Sequence, residues 1–183
     1  SSDDNSGTGN DLSYDLGDIT DTNWHHIVVT YDGSADESGF TIYVDGSSVA
    51  FTDAYNSLSA TTSNSEHFKL GKRGSSTDMF DGKMSNAAIF NSELSSANAI
   101  TIYNNGVPGD LTDLAPVSWW KLDSSATFST NWSIPDDGSA SNTGTSTGLT
   151  QGSLIPDTVT RGTAMYSEYS FYLDGVGDNF DLG

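Results

Sequence analysis

The sequence predicts an all-β, antiparallel sandwich with one short helix, and three observations carry that expectation. Segments rich in β-branched and aromatic residues recur along the 183-residue chain, each about a strand in length. Gly, Asp, Asn and Ser punctuate them at turn-like spacing. The acids lean the same way: 21 of 25 are Asp and four are Glu, and Asp favours turns and caps where Glu favours helix faces.

Each element has its own signal. Ser1 to Gly7 reads as a linker or loop. Trp24-His25-His26-Ile27-Val28-Val29-Thr30-Tyr31 reads as a strand closed by Asp32-Gly33. Phe40 to Val44 alternates, with Phe40, Ile42 and Val44 on one face. Asp45-Gly46 then supplies the pair that a type I′ hairpin needs, because both central residues require positive φ. Residues 47–51 form the return strand. Further strands are expected at 66–70, 82–90, 117–122, 170–173 and 179–182. A helix is expected near 92–104, capped by Asn91 or Ser92, faced by Leu94, Ala97, Ile100 and Tyr103, and ended by Gly106. Residues 106–116 hold two prolines and little β pattern, and read as a boundary. Residues 124–152, rich in Ser, Thr, Gly and Asn, read as a long surface loop or a pair of weak edge strands.

Composition excludes several functions. Six basic side chains face 25 acidic ones, a net charge of −19. Nucleic acid is therefore not an expected partner, since binding it relies on Lys and Arg displacing counterions. An anionic membrane surface is disfavoured for the same reason. No apolar run reaches the ~20 residues of a span, no signal-peptide pattern opens the chain, and no membrane insertion is expected. Aromatic residues at 11% are too many for a disordered chain. The absence of Cys removes disulfides, thiolate zinc sites and cysteine nucleophiles.

Trp24 to Gly33, followed by Tyr43-Val44-Asp45-Gly46, resembles the late strands of laminin-G-like domains of the concanavalin A-like lectin/glucanase superfamily. Lys69-Leu70-Gly71 and Phe80 to Asn91 look like that family's closing strand, and Tyr103-Asn104-Asn105-Gly106 like the motif that ends its short helix. The resemblance covers roughly residues 12–106 and implies a jelly-roll sandwich. Trp119-Trp120-Lys121-Leu122-Asp123 and Tyr172 to Gly183 resemble the beginning of the same family's domain. Residues 1–110 are thus read as the C-terminal-type part of a sandwich, and 111–183 as the N-terminal-type part. The two either close together as one circularly permuted domain, or belong to successive repeats completed by neighbouring copies. The phrase from Tyr103 to Lys121 is also similar to tandem repeats in predicted virion proteins of aquatic bacteriophages.

Relatives in this superfamily include glycoside hydrolases, whose reaction needs two carboxyls flanking the sugar, about 5–9.5 Å apart. Glu37, Glu66, Glu93 and Glu168 are scattered and none sits in a hydrolase-like motif, so no enzyme activity is expected. Glu37 belongs to a hairpin turn, and Glu93 is placed in the first turn of the helix. His25 and His26 adjoin on a strand, point to opposite faces and cannot share a metal, and His67 is remote.

Calcium favours six to eight oxygens from loops of Asp, Asn and Gly. Asp174-Gly175-Val176-Gly177-Asp178-Asn179 offers that chemistry, and equally suits plain turns. The family resemblance adds a structural calcium held by an acid on the closing strand, where this chain has Ser85 and Asn86. The expected calcium set is Asp174, Asp178, Asn179 and Asn86.

Carbohydrate binding is what the resemblance implies, and it needs aromatic faces beside fixed polar groups. At least two of Trp24, Trp119 and Trp120 are expected in the core. Trp132, with Asn131 and Asp136, is the expected glycan platform, the competing reading being a plug that holds the loop onto the sandwich. Asn131-Trp132-Ser133 is also a formal N-glycosylation sequon. Lys69, Lys72, Arg73 and Lys83 form a patch for an acidic face of another copy, or scattered counter-charges. The expected function is a non-catalytic, extracellular or virion-surface adhesion module for a glycan or cell-surface polysaccharide. The alternative is a self-assembling structural subunit of a fibre, appendage or capsid decoration.

Overall fold

A computed structural model of the protein describes residues 2–3, 11–15, 20–34, 36–56, 67–72, 79–156 and 169–183. For 2–3, 11–15, 52–56 and Glu37 it fixes the backbone course alone. The chain divides into two compact units, the first made of Ser1–Ser65 with Ser92–Gly106 and the second of Glu66–Asn91 with Val107–Gly183. Both are built from antiparallel sheets, and one α-helix is present among the described residues.

In unit 1, β1 (Ser2–Asp3), β2 (Asp11–Asp15) and β6 (Thr52–Asn56) form one sheet, while β3 (Ile27–Tyr31), β4 (Phe40–Val44) and β5 (Ser47–Val49) form another. Residues 2–3 thus pair as a strand inside the segment expected to be a linker. The Asp45-Gly46 hairpin forms as expected: φ is 51° at Asp45 and 76° at Gly46, and Val44 faces Ser47. Gly46 is needed a second time, because a Cβ there would lie 2.8 Å from the Tyr103 ring.

The helix, α1, spans Ser96–Tyr103 and is capped by Ser95, not by Asn91 or Ser92. Ser95 Oγ accepts the Asn98 N–H at 3.2 Å, and Asn98 Oδ1 accepts the Ser95 N–H at 3.2 Å, a reciprocal capping box. Glu93 accordingly lies before the helix rather than in its first turn. The inward face also differs from expectation. Ala99 is buried and Ile102 and Tyr103 half-buried, whereas Ile100 is 57% exposed. A strict three-residue repeat drifts around a 3.6-residue helix, so 94, 97, 100 and 103 cannot all face one side. The helix ends at Asn104, in the left-handed region at φ 42°, two residues before Gly106.

Unit 2 is a pair of facing sheets with a shared core. One sheet runs in the order β11 (Thr127–Phe128), β12 (Trp132–Ile134), β13 (Gly144–Thr147), β16 (Asn179–Asp181), β7 (Lys69–Leu70). The other runs β14 (Leu154–Pro156), β15 (Tyr169–Asp174), β8 (Asp81–Met84), with a separate pair of β9 (Ala87–Ile89) and β10 (Ser118–Trp120). Trp120, Trp132, Ile134, Phe171, Leu173 and Phe180 meet in one buried cluster. Strands on either side of residue 110 pair with each other: β7 with β16, β8 with β15, β9 with β10. The compact units therefore part at Gly106 and Val107 but cut across a simple division at 110.

Two readings of unit 2 need correction. The expected strand 82–90 is two strands, because Asn86 takes φ 53° and turns the chain from the β8–β15 sheet to the β9–β10 pair. The polar stretch 124–152 is neither a loop nor a pair of edges, since it supplies three strands and β12 and β13 lie inside the five-stranded sheet. In β13 the buried positions are Gly144 and Ser146. A Cβ at Gly144 would run into Leu182 Cδ2, so the strand turns small residues inward beneath a large neighbour.

Candidate binding surface

Trp132 is the residue the structure moves furthest from its expected role. It is 5% exposed, its ring centroid 5.2 Å from that of Phe128 and 5.0 Å from that of Phe171. Its indole N–H donates to the Thr150 carbonyl at 2.8 Å, and its backbone N–H to Ser146 Oγ at 2.9 Å. An indole so enclosed offers no face to a sugar, and the plug reading is the one realised. Asn131 is exposed and immediately precedes β12. Asp136 is a backbone anchor: Oδ1 accepts the N–H of Trp119 and of Gly138, each at 2.7 Å, and Oδ2 that of Asn142 at 2.8 Å. Burial pushes this carboxyl up, but the backbone donors outweigh it and hold the group below the usual carboxylate range. Trp119 and Trp120 are buried, and Trp24 is half-buried.

The four expected calcium ligands do not come together. Asp174 lies opposite Asp81 and Phe171 opposite Met84, so Asn86 stands past the far end of β8, about 15 Å along the sheet from Asp174. Asn86 instead accepts the Trp119 indole N–H at 3.4 Å and donates to Ser85 Oγ at 3.0 Å. The other three residues are committed to their own turn. Asp174 Oδ1 accepts the Val176 N–H at 2.8 Å, Asp178 Oδ2 accepts the Asp174 N–H at 3.0 Å, and Asn179 Nδ2 donates to the Gly177 carbonyl at 3.1 Å. Asp178 is 5% exposed, and that burial raises its carboxyl above the usual range. Among the described residues no group of three or more His, Asp or Glu side chains is arranged to hold a metal ion. The residues present do not fit a calcium cage as a set.

What the fold does present is the outer face of β8 and β15. Along β15, Phe171 and Leu173 are buried while Tyr172 and Asp174 are exposed, a strand alternating as period two requires. Register then sets Tyr172 beside Lys83 and Asp174 beside Asp81. Tyr172 is 43% exposed, and its hydroxyl donates to Asp81 Oδ1 at 3.4 Å. The negative charge of Asp81 raises the phenol pKa, with burial and the hydrogen bond adding to it. The surface thus combines a flat ring, two carboxylates and an ammonium group. In the sequence Tyr172 and Lys83 belong to separate motifs that no local pattern joins. The alternation of residues 171–174 was the signal for Tyr172, but its partner across the sheet depended on a pairing ninety residues away in the chain.

The remaining candidates are dispersed. His67 Nδ1 meets Asp181 Oδ1 at 2.7 Å, and Lys69 lies opposite Asp181. Glu66, Glu168 and Arg73 are outside the described residues, as is the side chain of Glu37. No helix among the described residues is long and apolar enough to cross a membrane.

Comparison with known proteins agrees with this β architecture. No curated protein and no solved structure matches the chain. A family model described as the concanavalin A-like lectin/glucanases superfamily matches residues 2–100, more than half of the 183. The motifs around Trp24, Asp45 and Phe80 all fall within that match, and the chain belongs to the concanavalin A-like lectin/glucanase superfamily.

Proposed function

We propose that the protein is a non-catalytic adhesion module, extracellular or on a virion surface, that contacts neutral carbohydrate through the outer face of β8 and β15. The observation that carries this reading is Tyr172, a residue 43% exposed between two fully buried strand neighbours, Phe171 and Leu173. A sugar ring presents C–H groups on its faces and hydroxyls around its edge. An aromatic ring stacks on the first, and Asp81, Asp174 and Lys83 accept from and donate to the second. With a net charge of −19 and two carboxylates beside the ring, sialylated or uronate polymers are repelled. Asp81 and Asp174 stand side by side on one face, not across a cleft, which favours binding over hydrolysis.

Affinity electrophoresis through gels containing neutral or acidic polysaccharides tests the proposal. Retardation by a neutral polymer, lost in Tyr172→Ala at unchanged Tm, is the expected result. Equal retardation of both proteins would remove the surface from consideration, and sugar release during the run would restore the enzyme reading.

A second reading, self-assembly as a structural subunit, is favoured by β3. It is an edge of its three-stranded sheet, and Ile27 and Val29 are 48% and 56% exposed. Concentration-dependent scattering weakened by Val29→Lys would support it.

A further inference from the structure

We infer that Asp21, His25 and Asp45 form a proton-operated tether in unit 1, holding residues 21–23 to the β4–β5 turn while the imidazole carries two protons and releasing Asp21 when one is lost. Nδ1 of His25 lies 2.9 Å from Asp45 Oδ2, and Nε2 lies 2.9 Å from Asp21 Oδ1. A neutral imidazole owns one N–H. It can donate to one of these carboxylates and must set a bare lone pair against the other. Both contacts together require the imidazolium ion.

The two carboxylates are not equally fixed, and this decides which one leaves. Asp45 Oδ1 also accepts the His26 N–H at 2.9 Å, and the Asp45 N–H donates to the His26 carbonyl at 2.9 Å. Its side chain is 36% exposed and sits in the type I′ turn. Asp21 is 51% exposed and is otherwise held by the Asn23 N–H at 2.7 Å. The neutral ring therefore keeps its Nδ1–H on Asp45 and lets Asp21 go.

Among the described residues, the charged groups facing His25 are Asp21, from the segment before β3, and Asp45, from the turn. The ring of its neighbour His26 lies 6.0 Å from that of Tyr103 on α1, with a buried Nδ1 that has no hydrogen-bond partner, and it also feels the charge of Asp45. The two histidines are pushed in opposite directions. Hydrogen bonds to Asp21 and then Asp45 hold His25 above its ordinary value of 6.5, while burial holds His26 below it. The signs follow by linkage. The contribution of His25 is fully present below pH 6.5 and is lost as pH rises through its raised value. His26 acts below 6.5, where the unfolded chain takes up a proton that the folded site resists, so stability falls as pH drops.

Long-range 1H–15N spectra of the histidine rings, recorded on the full chain from about pH 5 to 9, test this together with amide protection factors. The expected result is a doubly protonated His25 with its midpoint on the alkaline side of 6.5, and protection at residues 21–23 that is lost across that midpoint. In Asp21→Asn the midpoint should fall back towards 6.5 and the pH dependence at 21–23 should vanish. Asp45→Asn should lower the midpoint while leaving the His26 amide protected, because the carboxamide oxygen still accepts its N–H. A neutral His25 at pH 6, or a midpoint unmoved by Asp21→Asn, overturns the inference.

Discussion

The two units hold themselves together by different means. Unit 2 buries Trp120, Trp132, Phe171 and Phe180 in one cluster with the leucines of β15 and its neighbours. The described apolar residues buried in unit 1 are Ile42, Tyr43 and Ala99, while Ile27, Val29 and Ile100 are about half exposed. What stands out in unit 1 is hydrogen bonding by polar side chains: Asp45 on the His26 N–H, Ser95 on the Asn98 N–H, and Asp21 and Asp45 on the His25 ring. Burial of apolar area is indifferent to pH and little affected by moderate salt, whereas the links made by Asp21, His25 and Asp45 are sensitive to both. Unit 2 should therefore behave as a robust scaffold, and unit 1 as the part whose order answers to its surroundings.

The largest effect should come from emptying the unit 2 core. Trp132→Ala removes a side chain packed on two aromatic rings and leaves a cavity, at a cost of about 3–5 kcal/mol. The matched change in unit 1, Ile100→Ala, removes a residue 57% exposed and should stay within about 0.5 kcal/mol. Urea unfolding followed by tryptophan fluorescence compares them. Similar costs for the two would erase the contrast between the units.

Unit 2 is not free of polar anchors, and Asp136 measures how far it depends on one. Asp136→Ala strands the backbone N–H groups of Trp119, Gly138 and Asn142, a loss of about 2–3 kcal/mol. The pH dependence has a definite sign. The folded-state pKa of Asp136 is below its ordinary 3.8, so its contribution is present above 3.8 and is lost as pH falls through the lowered value. Acid titration of stability should be shallower in Asp136→Asn than in the wild type. Superimposable acid limbs would show that the anchor is set by shape rather than charge.

These anchors mark the limit of what the sequence discloses. The β4–β5 hairpin is legible because Asp45-Gly46 satisfies a local φ requirement, and β15 because Phe171–Asp174 alternates between buried and exposed. Residues 124–152 mislead because β13 turns Gly and Ser inward, a composition shared with loops, to make room for Leu182, which directly follows β16. Trp132 misleads for the same reason: its burial depends on the distant Phe171 and on the Thr150 carbonyl. The binding surface needs the β8–β15 register, a contact between residues about ninety apart that no local pattern encodes. Long-range pairing, not propensity, is what separates the expected site from the observed one.

The subtlest test asks whether the turn that ends β15 is a structural fold-back or a cation site. Asp178 is 5% exposed and accepts one backbone N–H, and burial raises its carboxyl. A raised folded-state value means that stability declines as pH climbs from 3.8 through it, so at neutral pH the ionised group carries the whole loss. Asn in its place keeps the shape and an acceptor for the Asp174 N–H without the charge. Asp178→Asn should therefore raise Tm at pH 7. The same increment is expected in EDTA and in calcium chloride, because Asp174 Oδ1 and Asn179 Nδ2 are engaged within their own turn and no group of three acids is arranged to hold a metal among the described residues. If calcium instead stabilised the wild type and turned the substitution into a destabilising one, the carboxylate would be a ligand. The resistance of unit 2 would then rest on a bound charge as well as on its aromatic core.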